Sequence, residues 1–170
     1  MEQLVEYLIS YGSYGMFVAA FLAGSFFPFS SELVMLGLLG IGAAPDDLLV
    51  WATAGNTLGG AFNYGIGSLG REEWITRWCK VSPERLHKSL SGVRRYGAWA
   101  GLLAWVPILG SVITVAMGFL RVRFIYAIAT VAAGKYVRYW LPIQAYLHAA
   151  VFGRGVLQNA PTYKSSIGNL

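Results

Sequence analysis

Apolar residues occur along this chain in four long blocks, which are separated by two short polar breaks and one long polar segment. The blocks run from Tyr14 to Ala44, from Leu48 to Leu69, from Tyr96 to Leu120 and from Phe124 to Phe152. A helix that crosses a bilayer needs about 20 apolar residues, and every block is at least that long. The one long polar segment, residues 71–95, carries seven of the thirteen Lys and Arg residues. The pattern predicts membrane-embedded helices and a basic loop outside the membrane.

The first block contains a polar interruption, Pro28-Phe29-Ser30-Ser31-Glu32. Neither half of the block, Tyr14–Phe27 or Leu33–Ala44, is long enough to cross a bilayer alone. One helix through the whole block would be too long, and it would carry a proline and a charge at its centre. We therefore expect a re-entrant hairpin, which enters to the middle of the bilayer, turns and leaves on the same side.

The second block is predicted to cross the membrane once. Pro45-Asp46-Asp47 precedes it, and both proline and acidic residues favour the first turn of a helix. Two glycines four residues apart let another helix approach closely, and residues at i, i+4 and i+7 share a face. The residues expected to pack in this way are Gly55, Asn56, Gly59, Gly60 and Asn63.

The third block is interrupted in the same manner, around Pro107 and Gly110. Its length allows either one kinked span or a second hairpin. A single span would put Arg121 and Arg123 on the side opposite the basic loop, whereas a hairpin returns them to the same side. Because Lys and Arg accumulate in cytoplasmic loops, we favour the hairpin. The fourth block must cross at least once, and Pro142 leaves open whether it forms one segment or two.

The two halves of the chain resemble each other in order. Tyr14-Gly15 begins a run that is broken at Pro28, and Tyr96-Gly97 begins one that is broken at Pro107. The first hairpin starts outside and the second inside, which is an inverted repeat. We predict an all-α polytopic membrane protein with two re-entrant helical hairpins and spanning helices. The chain is predicted to form a single membrane domain, 1–170. The first hairpin and span lie in 1–70, and a cytoplasmic amphipathic loop lies in 71–97. The second hairpin and the last span lie in 98–153, and a tail follows in 154–170.

Composition narrows the class of protein. Hydrophobic residues make up 56% of the chain and charged residues 12%, and the mean hydropathy is +0.53. These values argue against a soluble enzyme and against disorder. The net charge of +5 fits a cytoplasmic loop better than nucleic-acid binding. There is one cysteine, and no Cys/His cluster has metal spacing, so we expect no metal and no cofactor.

The candidate binding residues lie where the chain breaks inside the membrane. Pro28, Pro107 and Gly110 are expected to shape the two hairpin tips, which must meet each other or line a cavity. A half-helix begins after each tip, near Ser30 and Ser31 and near Ser111. Helix N-termini carry unpaired N–H groups and partial positive charge, so a pair of them near the midplane suits an anion such as phosphate.

Three charged residues within the apolar blocks are also candidates, because ionisable groups at membrane depth are costly and commonly functional. Glu32 is expected to carry a coupled proton or to order a cationic partner. Lys135 and Arg138 share one face of the last block and are expected to bind a phosphate headgroup or to pair with Glu32. The two histidines, His87 and His148, are sixty-one positions apart, and the sequence has no Ser-His-Asp candidate on one face, no HExxH motif and no carboxylate cluster, so an enzyme is not expected.

Over about residues 12 to 140 the sequence resembles the DedA family, the bacterial branch of the SNARE-associated or VTT-domain membrane proteins. The matching motifs are Pro28-Phe29-Ser30-Ser31-Glu32, Gly37 to Gly42, Gly55-Asn56-Thr57-Leu58-Gly59-Gly60, Tyr64-Gly65-Ile66-Gly67, Arg95-Tyr96-Gly97, Val106-Pro107 and Ala116-Met117-Gly118-Phe119. Of four charged positions in better-studied members, this chain keeps Glu32. It has Ala23-Gly24-Ser25 in the acidic region and Ala104 and Gly110 at the arginine positions, which is typical of a small divergent branch.

The resemblance implies a flippase or scramblase of the bacterial inner membrane. Such a protein moves phospholipid or polyprenyl phosphate between leaflets, and some family members depend on the proton-motive force. The implied partners are membrane lipids, with a homo-oligomer also permitted by the GxxxG pair. The alternative is a structural or assembly subunit of a membrane complex without transport activity, because most of the family's charges are absent.

Overall fold

A computed structural model describes residues 2–25, 29–70, 82–106 and 109–159 of the chain. These residues form α-helices and one 3₁₀ helix, and no strand occurs among them. The elements are α1 (Glu2–Ser10), α2 (Gly12–Gly24), α3 (Ser31–Gly40), α4 (Pro45–Ser68), α5 (Pro83–Tyr96), the 3₁₀ helix (Gly97–Trp105), α6 (Leu109–Phe119) and α7 (Phe124–Asn159). The predicted all-α class is confirmed for this part of the chain.

The first and third apolar blocks are broken where the sequence predicts. Helix α2 ends at Gly24 and α3 begins at Ser31, and the two pack against each other. In the same way the 3₁₀ helix ends at Trp105, and α6 begins at Leu109 and packs against it. The predicted tips, Pro28 and Pro107, lie outside the described residues. Their re-entrant course through a bilayer stays a prediction.

Helix α4 occupies the centre of the fold, with α2 packed along one part of it and α6 along another. It begins at Pro45, with Asp46 and Asp47 in its first turn, as the sequence predicts. Close approach on both sides depends on glycine. A Cβ atom at Gly55 would overlap the carbonyl oxygen of Phe17 in α2, and one at Gly67 would overlap that of Val115 in α6.

Helix α5 completes the second half of the fold. Its apolar residues Leu86, Leu90 and Val93 are buried in one cluster with residues of the 3₁₀ helix, α6 and α7. The helix starts at Pro83 after Ser82, where proline fits the first turn of a helix. Residues 71–81, which were expected to begin the cytoplasmic loop, lie outside the described part of the chain.

The last apolar block is one continuous α-helix, α7, and Pro142 lies inside it. The contacts divide the chain into two compact units, residues 1–139 and 140–170, and the site described below belongs wholly to the first. In the part of the chain that the structure describes, no helix combines enough length with enough apolar character to cross a membrane.

Candidate functional site

An ion pair joins the N-terminus of α3 to α7. Glu32 lies in the first turn of α3, and its Oε1 accepts a hydrogen bond from Nε of Arg138 at 3.1 Å and a second from Nη2 of the same side chain. The hydroxyl of Ser30 donates to Oε2 of Glu32 at 3.2 Å. The arginine side chain is 12% exposed and the glutamate 33%. Glu32 therefore pairs with Arg138, one of the two partners that the sequence offered.

A second connection between α3 and α7 is made by the residues next to this ion pair, Ser31 before Glu32 and Tyr139 after Arg138. The hydroxyls of Ser31 and Tyr139 are 2.7 Å apart, and Nδ2 of Asn56 donates to the Tyr139 hydroxyl at 2.5 Å. Ser31, Asn56 and Tyr139 are all fully buried. The tyrosine hydroxyl thus ties α3, α4 and α7 together beside the Glu32–Arg138 pair.

Lys135 is the buried cation of this cluster. Its side chain is 2% exposed, and within the described residues its ammonium group has neither a hydrogen bond nor an ion-pair partner. It interacts electrostatically with Arg138 and Glu32. Two basic side chains and one carboxylate give the cluster a formal charge of +1. Lysine is almost never fully buried without a partner, so this ammonium is a candidate ligand for an anion.

The two broken blocks meet at a second polar contact. The carbonyl oxygen of Gly24, at the end of α2, accepts a hydrogen bond from Nδ2 of Asn63 at 2.9 Å. The hydroxyl of Ser111, in the first turn of α6, lies 3.4 Å from the carbonyl oxygens of both Gly24 and Ser25. Ser111 therefore joins the start of α6 to the end of α2.

The remaining predicted residues lie at helix contacts. Gly55 and Gly59 face α2, and a Cβ atom at Gly59 would lie 2.5 Å from the carbonyl oxygen of Phe21. Gly60 faces α7, where its Cβ would lie 3.2 Å from Val131, and Gly110 packs against the backbone of Ala104. The buried Oδ1 atoms of Asn56 and Asn63 have no hydrogen-bond partner among the described residues.

Sequence reasoning missed Tyr139, which the structure places at the centre of the cluster. The available signal was its position, because residues 135, 138 and 139 lie at i, i+3 and i+4 and share one face of a helix. It also expected Ser30, Ser31 and Ser111 near helix starts. Ser30 is the residue before α3, but its hydroxyl donates to Glu32 instead of capping the helix.

An open apolar groove lies between α4 and α7 close to this cluster. Its volume is about 550 Å³, which is within the range of roughly 300–1,000 Å³ of small-molecule sites. Small side chains of α4 form one wall, and α7 forms the other. Its lining includes Thr53, Ala54, Thr57, Ala61, Ala132 and Tyr136.

Comparison with known proteins identifies relatives of this chain. No protein-family model matches it, and no solved structure matches it. It is 35% identical over 132 residues to an uncharacterised protein of Haemophilus influenzae, covering 73% of this chain and 80% of that protein. It is 31% identical over 127 residues to the inner membrane protein YqaA of Escherichia coli, covering 74% of this chain and 84% of that protein. YqaA of Shigella flexneri matches to the same extent.

The fold and these relatives define a class of protein. The chain is a helical protein of the bacterial inner membrane, in agreement with the predicted localisation. It belongs to the family of the inner membrane protein YqaA.

Proposed function

We propose that this chain is a DedA-like lipid translocator, a flippase or scramblase that moves phospholipid or polyprenyl phosphate between the leaflets of the inner membrane. The observation that carries the proposal is the buried residue Lys135, which has neither a hydrogen bond nor an ion pair among the described residues and lies beside Arg138 and Glu32 in a cluster with a formal charge of +1. A buried cation is stabilised by an anion that can approach it closely. The phosphate of a lipid headgroup is such an anion.

The surface of the first unit supports a membrane-embedded arrangement. Large hydrophobic side chains are strongly exposed on several helices, including Leu33 at 56%, Val50 at 64%, Trp99 at 71% and Ile125 at 77%. The two asparagines in the middle of α4, Asn56 and Asn63, are instead fully buried. Lipid-facing helices show this distribution, because their polar side chains turn towards the protein interior.

The short helices support re-entrant hairpins. Helix α2 has 13 residues and α3 has 10, so they rise about 20 Å and about 15 Å, against a hydrocarbon thickness of about 30 Å. The 3₁₀ helix and α6 repeat this order in the second half. We propose that both pairs enter and leave on one side, in an inverted repeat, with the loop at 71–97 in the cytoplasm.

The proposed mechanism uses Arg138 as the residue that changes partner. Its guanidinium group holds the Glu32 carboxylate through two hydrogen bonds, and guanidinium binds phosphate in the same two-point geometry. An entering headgroup would contact Lys135 and compete with Glu32 for Arg138. The released carboxylate is then available to accept a proton. Transport of this kind involves no covalent step, so it requires neither a cofactor nor a metal.

The decisive experiment is a leaflet-transfer assay in reconstituted liposomes. Transfer of fluorescent phosphatidylglycerol and of polyprenyl phosphate is measured for wild type, Lys135→Met, Glu32→Gln and the matched control Lys88→Met. Lys88 is an exposed lysine of α5, so its loss should leave transfer unchanged. We expect Lys135→Met to slow transfer at least about tenfold, since a charged hydrogen-bonding group is worth about 1.5–3 kcal/mol.

Thermal unfolding in detergent checks that each variant is folded. Because Lys135 has no partner to lose in the described part of the chain, Lys135→Met should be as stable as wild type or more stable. A folded wild-type protein that transfers neither lipid would contradict the proposal. That result would instead favour a structural or assembly subunit, which would then be sought as a stable complex in gentle detergent extracts.

A further inference from the structure

The groove between α4 and α7 is held open by small side chains. On α4 its wall is formed by Thr53, Ala54, Thr57 and Ala61, and on α7 by residues that include Ile128 and Ala132. The helices approach closely next to the groove, where a Cβ atom at Gly60 would lie 3.2 Å from Val131. The alanines and threonines are too short to fill the space beside that contact.

The surface that the groove presents is carbon. The hydroxyl oxygens of Thr53 and Thr57 are buried and make no hydrogen bond among the described residues. A ligand in the groove therefore meets the methyl groups of these threonines and the side chains of Ala54 and Ala61. Such a surface suits a hydrocarbon chain. It suits a polar helix less well, because the polar side chains of such a helix could not reach the threonine hydroxyls.

The groove and the cationic cluster lie close together along α4 and α7. Tyr136 lines the groove, and Lys135, Arg138 and Tyr139 all lie within one turn of it on α7. On the opposite wall Asn56, which bonds to Tyr139, lies between Thr53 and Thr57. Residues of the cluster and residues of the groove thus alternate within single turns of the same two helices.

We propose that this groove binds a hydrocarbon chain of an anionic membrane lipid, with the phosphate of that lipid at Lys135. The inference deepens the proposed function and rests on it for the identity of the headgroup. The arrangement matches an amphipathic ligand, since charge complementarity selects the headgroup at one end and apolar burial holds the chain along the rest. The inner membrane, where the protein resides, supplies such lipids.

The test is photolabelling with phosphatidylglycerol that carries a diazirine near the end of one acyl chain. The probe is mixed into vesicles of phosphatidylethanolamine and phosphatidylglycerol that contain the full-length protein, and labelled peptides are mapped by mass spectrometry. Ala132→Trp fills the groove. Ala133→Trp is the matched control, because Ala133 is exposed on the same helix and does not line the groove.

We expect labels on the groove residues of α4 and α7. Ala132→Trp should reduce them by about tenfold, because the indole ring would occupy the space that the acyl chain fills, whereas Ala133→Trp should leave them unchanged. Labels spread evenly over the exposed apolar faces, or unaffected by Ala132→Trp, would overturn the inference. So would a cross-link between two chains through a cysteine at Ala54, made with Cys79→Ser, because a second copy would then occupy the groove.

The proposed function and this inference fail in different ways. Groove labelling without leaflet transfer would contradict the translocator and support the lipid-chain site. Leaflet transfer by wild type without groove labelling would support the translocator and overturn the site.

Discussion

The hydroxyl group of Tyr139 joins three helices, α3, α4 and α7. It contacts the hydroxyl of Ser31 and accepts a hydrogen bond from Asn56. Tyr139→Phe would remove it and leave the buried Asn56 donor unsatisfied. We expect a loss of about 1–3 kcal/mol in the free energy of unfolding, measured by thermal unfolding in detergent.

Tyr126→Phe is the matched control for that substitution. Tyr126 is exposed on the same helix and stacks with Arg123 through its ring, which phenylalanine retains. Its stability should stay within about 0.5 kcal/mol of wild type. Equal losses in both variants would show that the Tyr139 hydroxyl contributes nothing specific.

How much of this cluster could be predicted depends on the type of residue. Glu32, Lys135 and Arg138 stand out in the sequence because charges are rare in apolar blocks. Which cation pairs with Glu32 could not be predicted, since both lie on one helix face and the choice depends on how α3 meets α7. Tyr139 gave no comparable signal, because an aromatic residue in a membrane segment is ordinary and only its neighbours make its hydroxyl important.

At the scale of the helix, two glycines of α4 predict opposite effects of the same substitution. A Cβ atom at Gly67 would overlap the backbone of Val115 in α6, whereas Gly65 has nothing within 4 Å. Gly67→Ala should therefore lower the free energy of unfolding by about 1–3 kcal/mol through overpacking. Gly65→Ala should raise it by up to about 1 kcal/mol, because alanine is the better helix former.

Thermal unfolding of the two variants under the same conditions measures this difference. Because both changes add one methyl group to one helix, helix propensity cancels between them and the contact with α6 remains. Equal stability of the two variants would mean that α4 and α6 do not approach as closely as described.

The element boundaries show where sequence patterns suffice. Pro45 and Pro83 each mark the start of a helix because proline fits the first turn, and α4 and α5 begin there. The segment Gly97–Trp105 is a 3₁₀ helix, which the apolar pattern could not distinguish from an α-helix. It is also held by a distant contact, since the Thr130 hydroxyl donates to the Ala98 carbonyl. No local pattern encodes that partner.

At the scale of the whole first unit, the two broken blocks are joined to each other. The sequence required the interrupted segments to meet or to line a cavity, because exposed backbone is not tolerated in lipid. The Ser111 hydroxyl lies 3.4 Å from the carbonyl oxygens of Gly24 and Ser25, next to both interruptions. The two halves of the chain thus contact each other a few residues from the predicted tips, while periodicity alone could not say which residues would touch.

That contact predicts a reversible cross-link. Cysteines at Ser25 and Ser111, with Cys79→Ser, test this contact, because the Ser111 side chain reaches the carbonyl oxygen of Ser25 and a disulfide forms only at a Cα separation of about 4.4–6.8 Å. Mild oxidation should join them within one chain, as detected by a gel shift after cleavage between the two positions. Cysteines at Ser68 and Ser111 are the control. Ser68 is an exposed residue at the C-terminal end of α4. It lies beside Gly118, near the end of α6 opposite to Ser111, so this pair should not join.

The same variant tests whether transport requires the two interruptions to separate. If a headgroup passes between them, oxidation should reduce leaflet transfer by about tenfold, and reduction of the disulfide should restore it, since a covalent bond holds the two segments together on the timescale of the assay. Unchanged transfer in fully cross-linked protein would place the lipid path away from Ser111. The headgroup would then pass by Lys135 without any opening between the end of α2 and the start of α6.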